Sequence, residues 1–238
     1  MSHIKKLAAK KSSKRSRTSS DSFPNDDAEM AFNDHYKRVP IILERTMDLE
    51  SLEGTFILDV FKKRTWRKLL MPMGNVYEEV IQEFYVNAFV EGDHINYWLK
   101  GREFSITRDS IQDVLEIRLT TPHTSLQYDE RREKLEPLVE ILGGQLNKKT
   151  LHTIPFTPEM RTLAYIMIFN LYPVRNLTNL SAPRTIFLYD LFTHMEIDIY
   201  SHIYHLFIKC ITKKNSRLTL PFPSLVMSLI TRGKSEDS

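Results

Sequence analysis

The sequence predicts a mainly α-helical protein: an irregular or orthogonal bundle of about seven to nine helices with one small β-hairpin near residues 95–106. Hydrophobic residues make up 42% of the 238 residues, which is enough to build a core. Apolar side chains recur at helical spacing in most segments after residue 38. Residues 95–106 instead combine β-favouring side chains with the pair Lys100-Gly101, which suits a tight turn.

The N-terminal 37 residues are predicted to be a disordered basic tail followed by an acidic linker. Residues 1–17 contain no acid and seven basic side chains, which we call the basic tail: Lys5, Lys6, Lys10, Lys11, Lys14, Arg15 and Arg17. The whole chain has a net charge of +3, and without these seven residues it has 26 basic and 30 acidic residues, a net charge of −4. The excess positive charge therefore belongs entirely to the tail.

The basic tail has the composition of a nuclear-import signal or of an arm that binds nucleic acid without sequence preference. The alternative is a solvated terminus that only aids solubility. The acidic balance of the remaining chain argues against nucleic-acid binding by the whole domain, since such a surface should itself be basic.

The folded part is predicted to span residues 38–232, followed by a disordered end at 233–238. Thr55 can cap a helix that runs through Leu70, and Asn75 can cap a second core helix. The first helix carries a weak basic patch around Trp66, formed by Lys62, Lys63, Arg64, Arg67 and Lys68. This patch suggests an anion or nucleic-acid contact, but more often a tryptophan in such a helix anchors it on the core while the charges remain in water.

After the hairpin, Thr107 is predicted to cap a short helix. Residues 129–142 resemble a charged helix interrupted by Pro137, and Gly143-Gly144 should end it.

The C-terminal third predicts four further helices. Thr157 followed by Pro158 marks the start of the first, Ser181 the second and Asp198 the third. The last begins within residues 220–225.

The order of several motifs resembles the "putative plant transposon protein" domain family, which occurs in retroelement-derived plant proteins. The motifs are Glu83-Phe-Tyr-Val-Asn87, Leu99-Lys-Gly-Arg-Glu-Phe-Ser105, Ile186-Phe-Leu-Tyr-Asp-Leu191, Glu196-Ile-Asp-Ile199 and Leu220-Pro-Phe-Pro-Ser-Leu225. The similarity covers about residues 38–230. It implies an origin in a retroelement, and it brings no catalytic residues with it.

Two departures from the family pattern suggest a divergent or decayed copy. The glycine expected after the helix that contains Ile186 is replaced near His194-Met-Glu, and residues 125–132 contain no tryptophan.

The sequence predicts a protein that is not an enzyme and has no cofactor. It contains neither the Asp-Thr/Ser-Gly triplet of aspartic proteases nor a reverse-transcriptase metal motif. The one metal-site candidate is His202 and His205 with Cys210 and His194, and it competes with an ordinary core interpretation because Cys210 falls on an apolar stripe. A metal-dependent transposase or integrase stays as the alternative, since carboxylates that bind two metal ions are often dispersed in sequence.

Partners and location follow from composition. We expect other retroelement proteins or a second copy as partners, nucleic acid through the tail, and no membrane, because no long apolar run or signal peptide is present. A single cysteine agrees with a reducing compartment. We therefore expect an intracellular, nuclear protein.

Overall fold

The computed structural model describes residues 22–72, 74–117, 128–212 and 219–236. In these ranges the chain forms ten α-helices and two three-stranded antiparallel sheets, which confirms the mainly helical prediction. The helices are α1 (Asp26–Asp34), α2 (Phe56–Lys63), α3 (Arg67–Leu70), α4 (Glu78–Asn87), α5 (Arg108–Leu115), α6 (Leu135–Ile141), α7 (Pro158–Ile166), α8 (Ala182–Phe192), α9 (Ile199–Thr212) and α10 (Pro223–Glu236). The strands are β1 (Phe89–Glu91), β2 (His94–Leu99), β3 (Arg102–Ile106), β4 (Gln145–Asn147), β5 (Thr150–His152) and β6 (Asn179–Ser181).

Helices whose first residues carry a strong capping signal begin where the sequence predicts. The Thr107 side chain accepts from the Ser110 amide, and the Ser110 hydroxyl accepts from the Thr107 amide, so α5 begins with a reciprocal capping box. Thr157 caps α7 by accepting from the Met160 amide, with Pro158 at the first helical position. A π-helical segment, Met167–Leu171, continues α7.

The helix expected from Thr55 to Leu70 is broken into α2 and α3. Thr65 adopts a left-handed conformation with φ 57°, which turns the chain and lets Trp66 lie in the core at 2% exposure. Thr55 occupies the N-cap position of α2, as predicted, but its hydroxyl donates to the Leu52 carbonyl at 2.7 Å and makes no capping hydrogen bond to the helix. The prediction that Asn75 caps the next helix is also wrong, because α4 begins at Glu78 after the extended residue Tyr77.

Helix α1 occupies part of the segment for which the sequence predicted an acidic linker. Its N-cap is Asn25, whose Oδ1 accepts from the Ala28 amide at 2.9 Å. Phe32 and, just after the helix, Tyr36 are buried in the core. Two large side chains separated by polar residues are enough to bind this helix to α4, although the segment as a whole has a polar composition.

The predicted hairpin is present as β2 and β3, with Tyr97 opposite Phe104. It has a third strand, because β1 pairs with β2 and places Phe89 opposite Asn96. The second sheet was not predicted. Its strands have three residues each, and β5 pairs with β6 from a distant part of the chain, with Thr150 opposite Ser181.

The charged helix predicted over 129–142 is shorter than expected. Helix α6 covers Leu135–Ile141 and includes Pro137 in its first turn, where a missing amide hydrogen costs little. Gly143, with φ +68°, ends the helix as predicted. The residues from Tyr128 to Lys134 form turns and irregular structure.

Buried hydrophobic side chains from both sheets and from every helix of the described ranges form one contiguous core. Helix α6 contributes Leu138 and Val139 to it. Phe84 of α4 and Phe207 of α9 meet there at a ring-centroid distance of 6.3 Å, and Phe222 packs on Phe207 at 5.7 Å. The Tyr85 hydroxyl donates to the Pro221 carbonyl at 2.7 Å and links α4 to the start of α10. None of the helices in the described ranges is long and apolar enough to cross a membrane.

Candidate functional site

The basic tail, the first of the two predicted charged sites, lies outside the described residues. The second, the weak basic patch, lies on α2, α3 and the turn between them. Lys62, Lys63 and Arg67 are exposed, as the solvated interpretation of the patch expects. The other two basic residues have contacts within the fold.

Arg64 stabilises the turn between α2 and α3. Its guanidinium donates to the carbonyls of Val60 at 2.9 Å, Asp190 at 3.2 Å and Met195 at 2.8 Å. Lys68 donates to the Val114 carbonyl at 3.2 Å and pairs with the Glu116 carboxylate at 2.9 Å. The five residues therefore do not form one continuous free surface.

A group of polar side chains joined by hydrogen bonds and ion pairs lies between α8, α9 and the irregular segment before α6. We call it the carboxylate cluster. It contains Tyr128, Asp129, Arg131, Tyr172, Asp190, His202, His205 and Lys209.

Asp190 forms the buried half of the carboxylate cluster. Asp190 is 3% exposed. Its Oδ2 accepts hydrogen bonds from the Tyr128 hydroxyl at 3.0 Å and from the Arg131 guanidinium. Arg131 also pairs with Glu133, which lies nearer the surface. Burial opposes the charge of Arg131, but its bonds to Asp190 and Glu133 raise the pKa of the guanidinium. The ionic charge of Asp190 is thus compensated inside the protein.

Asp129 forms the outer half of the cluster. Its carboxylate accepts a hydrogen bond from the Tyr172 hydroxyl at 3.1 Å and another from the Lys209 ammonium. The His205 Nε2 lies 3.7 Å from its Oδ2. Hydrogen bonding from His205 and Lys209 holds the pKa of Asp129 below its usual range, against the opposing effect of burial. Lys209 and His205 belong to α9, and Tyr172 lies after the π-helical segment that continues α7. The Asp129 carboxylate therefore connects its own segment with two others.

His202 separates the two halves of the cluster and belongs to the core. Its Nε2 lies 3.1 Å from the Leu171 carbonyl and so donates to it, and its ring packs 4.6 Å from both Tyr172 and Phe187. Burial lowers the pKa of His202 to about 3. The imidazole is therefore neutral, and its position is that of a packed core side chain.

The structure does not bring the predicted metal-site residues together. Cys210 is buried at 8% exposure, its thiol donates to the Thr219 carbonyl at 3.7 Å, and burial raises its pKa to about 12. His202 bonds to the Leu171 carbonyl, whereas the His205 Nε2 lies 3.7 Å from the Asp129 carboxylate. In the described ranges no group of three His, Cys, Asp or Glu side chains has the arrangement of a metal site.

A cavity of about 90 Å³ lies beneath α10. Both carboxylate oxygens of Glu44 accept from the Ser224 amide at 3.1 Å at the start of that helix. Burial raises the pKa of Glu44, and the hydrogen bonds from backbone amides partly oppose this rise. Asn170, also at the cavity, donates to the carbonyls of Arg45 and Leu69. These polar groups are thus occupied in holding α10 and the Leu43–Leu49 segment in place.

Residues 62–234 match the model of the family described as "Putative plant retrotransposon-related domain". The chain belongs to this family. The match covers most of the chain and confirms the resemblance that the motif order predicts. No curated protein and no solved structure matches the chain significantly.

The retrotransposon-related domain spans all of the carboxylate cluster. Of its members, the sequence pointed only to His202 and His205, as ligands of a possible metal site. One signal for the cluster was present. Asp190 is a single charged residue within the apolar run Ile186–Leu191, and such a residue is rarely buried without a partner. Its partners Tyr128 and Arg131 lie about 60 residues earlier in the sequence, and no local pattern connects them with α8.

Proposed function

We propose that this retrotransposon-related domain is a non-enzymatic interaction or assembly module, and that its basic tail supports nuclear import or non-specific nucleic-acid binding. The observation that carries the proposal is the division of charge. Seven positive charges and no negative charge lie in residues 1–17, whereas the rest of the chain has a net charge of −4. Attraction to phosphate is thereby confined to one short segment.

The use of polar groups in the folded part supports a non-enzymatic role. A catalytic carboxylate or histidine must reach a substrate, and functional groups of this kind lie in clefts. Asp190 and His202 are 3% exposed and their partners are side chains or carbonyls of the fold. The carboxylate cluster is consistent with a role in stability.

The tail is tested by comparing the intact chain with a variant in which its seven basic residues are glutamine. We expect the variant to lose nuclear accumulation of a fluorescent fusion, or to lose salt-sensitive binding to random-sequence duplex DNA. If all seven residues contact phosphates, log K against log[salt] has a slope of about −6. Equal distribution and equal DNA binding of both proteins would refute the tail's role.

A matched control removes positive charge from the folded part. Lys62, Lys63 and Arg67 are exposed, so their replacement by glutamine leaves the contacts of Arg64 and Lys68 in place. We expect this triple variant to keep most of the DNA affinity. A loss as large as that of the tail variant would assign binding to the weak basic patch.

The alternative function, a divergent nucleic-acid-processing enzyme, makes a separate prediction. Incubation with single- and double-stranded DNA and RNA in Mg²⁺ or Mn²⁺ would then give cleaved or joined products. We expect none above the level of the Asp190→Asn and Asp129→Asn variants. Product that disappears in one of these variants would favour the enzyme.

Assembly is tested by measuring molar mass in solution. Light scattering coupled to gel filtration over a hundredfold range of concentration detects a second copy as a partner. A constant monomer mass would exclude self-association and direct the search to other retroelement proteins.

A further inference from the structure

One face of α4 gathers negative charge next to the point where the described chain begins. Glu79 and Glu83 are four residues apart and so lie on the same side of the helix. Glu79 is exposed and Glu83 is half-buried, and neither forms an ion pair with a described residue. We call Glu79, Glu83 and Asn87 the acidic face of α4.

The electrostatics of this face favour an incoming positive charge. Burial and the neighbouring Glu79 carboxylate raise the pKa of Glu83, while Ser22 and Lys100 oppose the rise. Two carboxylates at this spacing repel each other in the absence of a cation.

Asn87, one helical turn after Glu83, provides an independent observation, because one of its buried polar atoms lacks a hydrogen-bond donor. The residue is 5% exposed, and its Nδ2 donates to the Ser22 carbonyl at 2.8 Å and to the Trp98 carbonyl at 3.0 Å. Its Oδ1 is buried and accepts from no donor in the described part of the chain. A buried acceptor without a donor is rare and costs free energy.

The chain itself supplies a donor-rich cation at this place. Ser22 touches Asn87 and adjoins Glu83, and Phe23 packs on Phe32 at 5.1 Å, which holds the start of the described chain against α1 and α4. Arg17 is five residues before Ser22, and an extended chain of that length spans about 17 Å. Glu79 and Glu83 are about 6 Å apart along the helix axis. The nearer tail residues can therefore reach both carboxylates.

We propose that the acidic face of α4 is a docking surface for the chain's own basic tail. Docking in the same molecule competes with phosphate for the same lysines and arginines. A short tether raises the effective concentration of the tail to about the millimolar range, so weak contacts suffice. The surface thus limits how much of the tail is available to nucleic acid or to an import receptor.

Zero-length carbodiimide cross-linking of the full chain, read by mass spectrometry, tests the contact directly. We expect amide bonds between tail lysines, Lys14 foremost, and Glu79 or Glu83, at a yield that does not depend on protein concentration and falls at least fivefold between 50 and 500 mM salt. The Glu79→Gln/Glu83→Gln variant should lose these bonds.

The control is a pair of glutamates at the same spacing on another helix, both of them exposed. Glu136 and Glu140 lie on α6, and Glu136→Gln/Glu140→Gln removes the same net charge. We expect this variant to retain the cross-links to α4. Equal cross-linking of the tail to both helices in the unmodified chain, or unchanged tail cross-links after Glu79→Gln/Glu83→Gln, would overturn the proposal.

DNA binding gives a second measurement of the same contact. If the tail is free for about 10–30% of the time, Glu79→Gln/Glu83→Gln should tighten DNA binding by about three- to tenfold, and the α6 variant should not. Should the tail bind no DNA at all, the proposed nucleic-acid role fails, and the cross-linking still decides whether the tail occupies α4.

Discussion

The carboxylate cluster and the acidic face of α4 handle negative charge in opposite ways. In the cluster, Asp190 and Asp129 are held by Arg131 and Lys209 and by tyrosine hydroxyls. On α4, Glu79 and Glu83 lie together with no ion pair to a described residue. A count of charged residues therefore does not identify a binding surface. What identifies it is whether the fold already compensates the charge.

The largest expected effect comes from breaking the compensated region. Asp190→Ala removes the acceptor of Tyr128 and Arg131 and leaves a guanidinium partly buried without its partner. We expect a loss of about 3–5 kcal/mol in the free energy of unfolding, measured by urea denaturation.

Glu133→Gln is the matched control for Asp190→Ala, since it removes the other carboxylate partner of Arg131. The Glu133 side chain is 35% exposed, and pairs near the surface contribute about 0–1 kcal/mol. Equal losses for the two variants would contradict the distinction between buried and exposed partners.

The next effect concerns Arg64, which connects the cluster to the basic patch. Arg64→Gln removes hydrogen bonds to three carbonyls, among them that of Asp190. We expect a loss of about 1.5–3 kcal/mol, whereas Arg67→Gln should change the free energy of unfolding by about 0.5 kcal/mol or less because Arg67 is exposed. A destabilising effect of Arg67→Gln similar to that of Arg64→Gln would show that the whole patch is structural.

A pH dependence follows from His202 at the centre of the cluster. Its folded-state pKa of about 3 lies below the ordinary value of 6.5, so the unfolded chain binds the proton more readily. Stability is therefore fully present above pH 6.5 and falls by about 1.4 kcal/mol per pH unit below it, or about 2 kcal/mol by pH 5.

His202→Phe should remove most of this slope between pH 6.5 and 5, because phenylalanine has no proton to bind and can keep the ring packing against Phe187. The measurement is a series of urea denaturation curves at fixed ionic strength. An unchanged slope would mean that other groups titrate in this range and that His202 is accessible to protons in the folded state.

The smallest effect is expected on the acidic face. Glu79→Gln/Glu83→Gln removes a like-charge pair at helical spacing and should leave the free energy of unfolding unchanged or raise it by about 0.2–0.5 kcal/mol. A loss above about 1 kcal/mol would show that the two carboxylates support the fold, and the contrast with the carboxylate cluster would disappear.

Local signals explain which elements were predictable. Thr107, the pair Thr157-Pro158 and Gly143 act on their nearest neighbours in the chain, and α5, α7 and the end of α6 lie where these residues place them. Asn75 and Thr55 are equally good caps in isolation, but Thr55 stands at the N-cap of α2 without a capping hydrogen bond, and Asn75 lies before the start of α4. A local preference of about 1 kcal/mol therefore does not fix the capping bond at either position.

The candidate sites likewise divide into those that the local sequence predicts and those that it does not. Basic residues of the tail and of α2 could be read directly from composition. The carboxylate cluster could not be predicted in this way, because the hydrogen bonds between its side chains join residues about 40 to 80 positions apart, such as Tyr172 with Asp129 and Asp129 with Lys209. Nothing in the sequence near Asp190 indicates which cation reaches it.

Four properties could be inferred from the sequence alone: the helical class, the hairpin at β2 and β3, the separation of tail charge from body charge, and the family. These properties depend on composition, on spacing within a few residues and on motif order. Three results required the tertiary structure: α1 belongs to the fold, β6 completes a sheet with β5, and Asp190 pairs with Arg131 whereas Glu79 and Glu83 form no ion pair with a described residue. Each of these outcomes requires two distant segments to meet, and burial there sets which polar groups must find a partner.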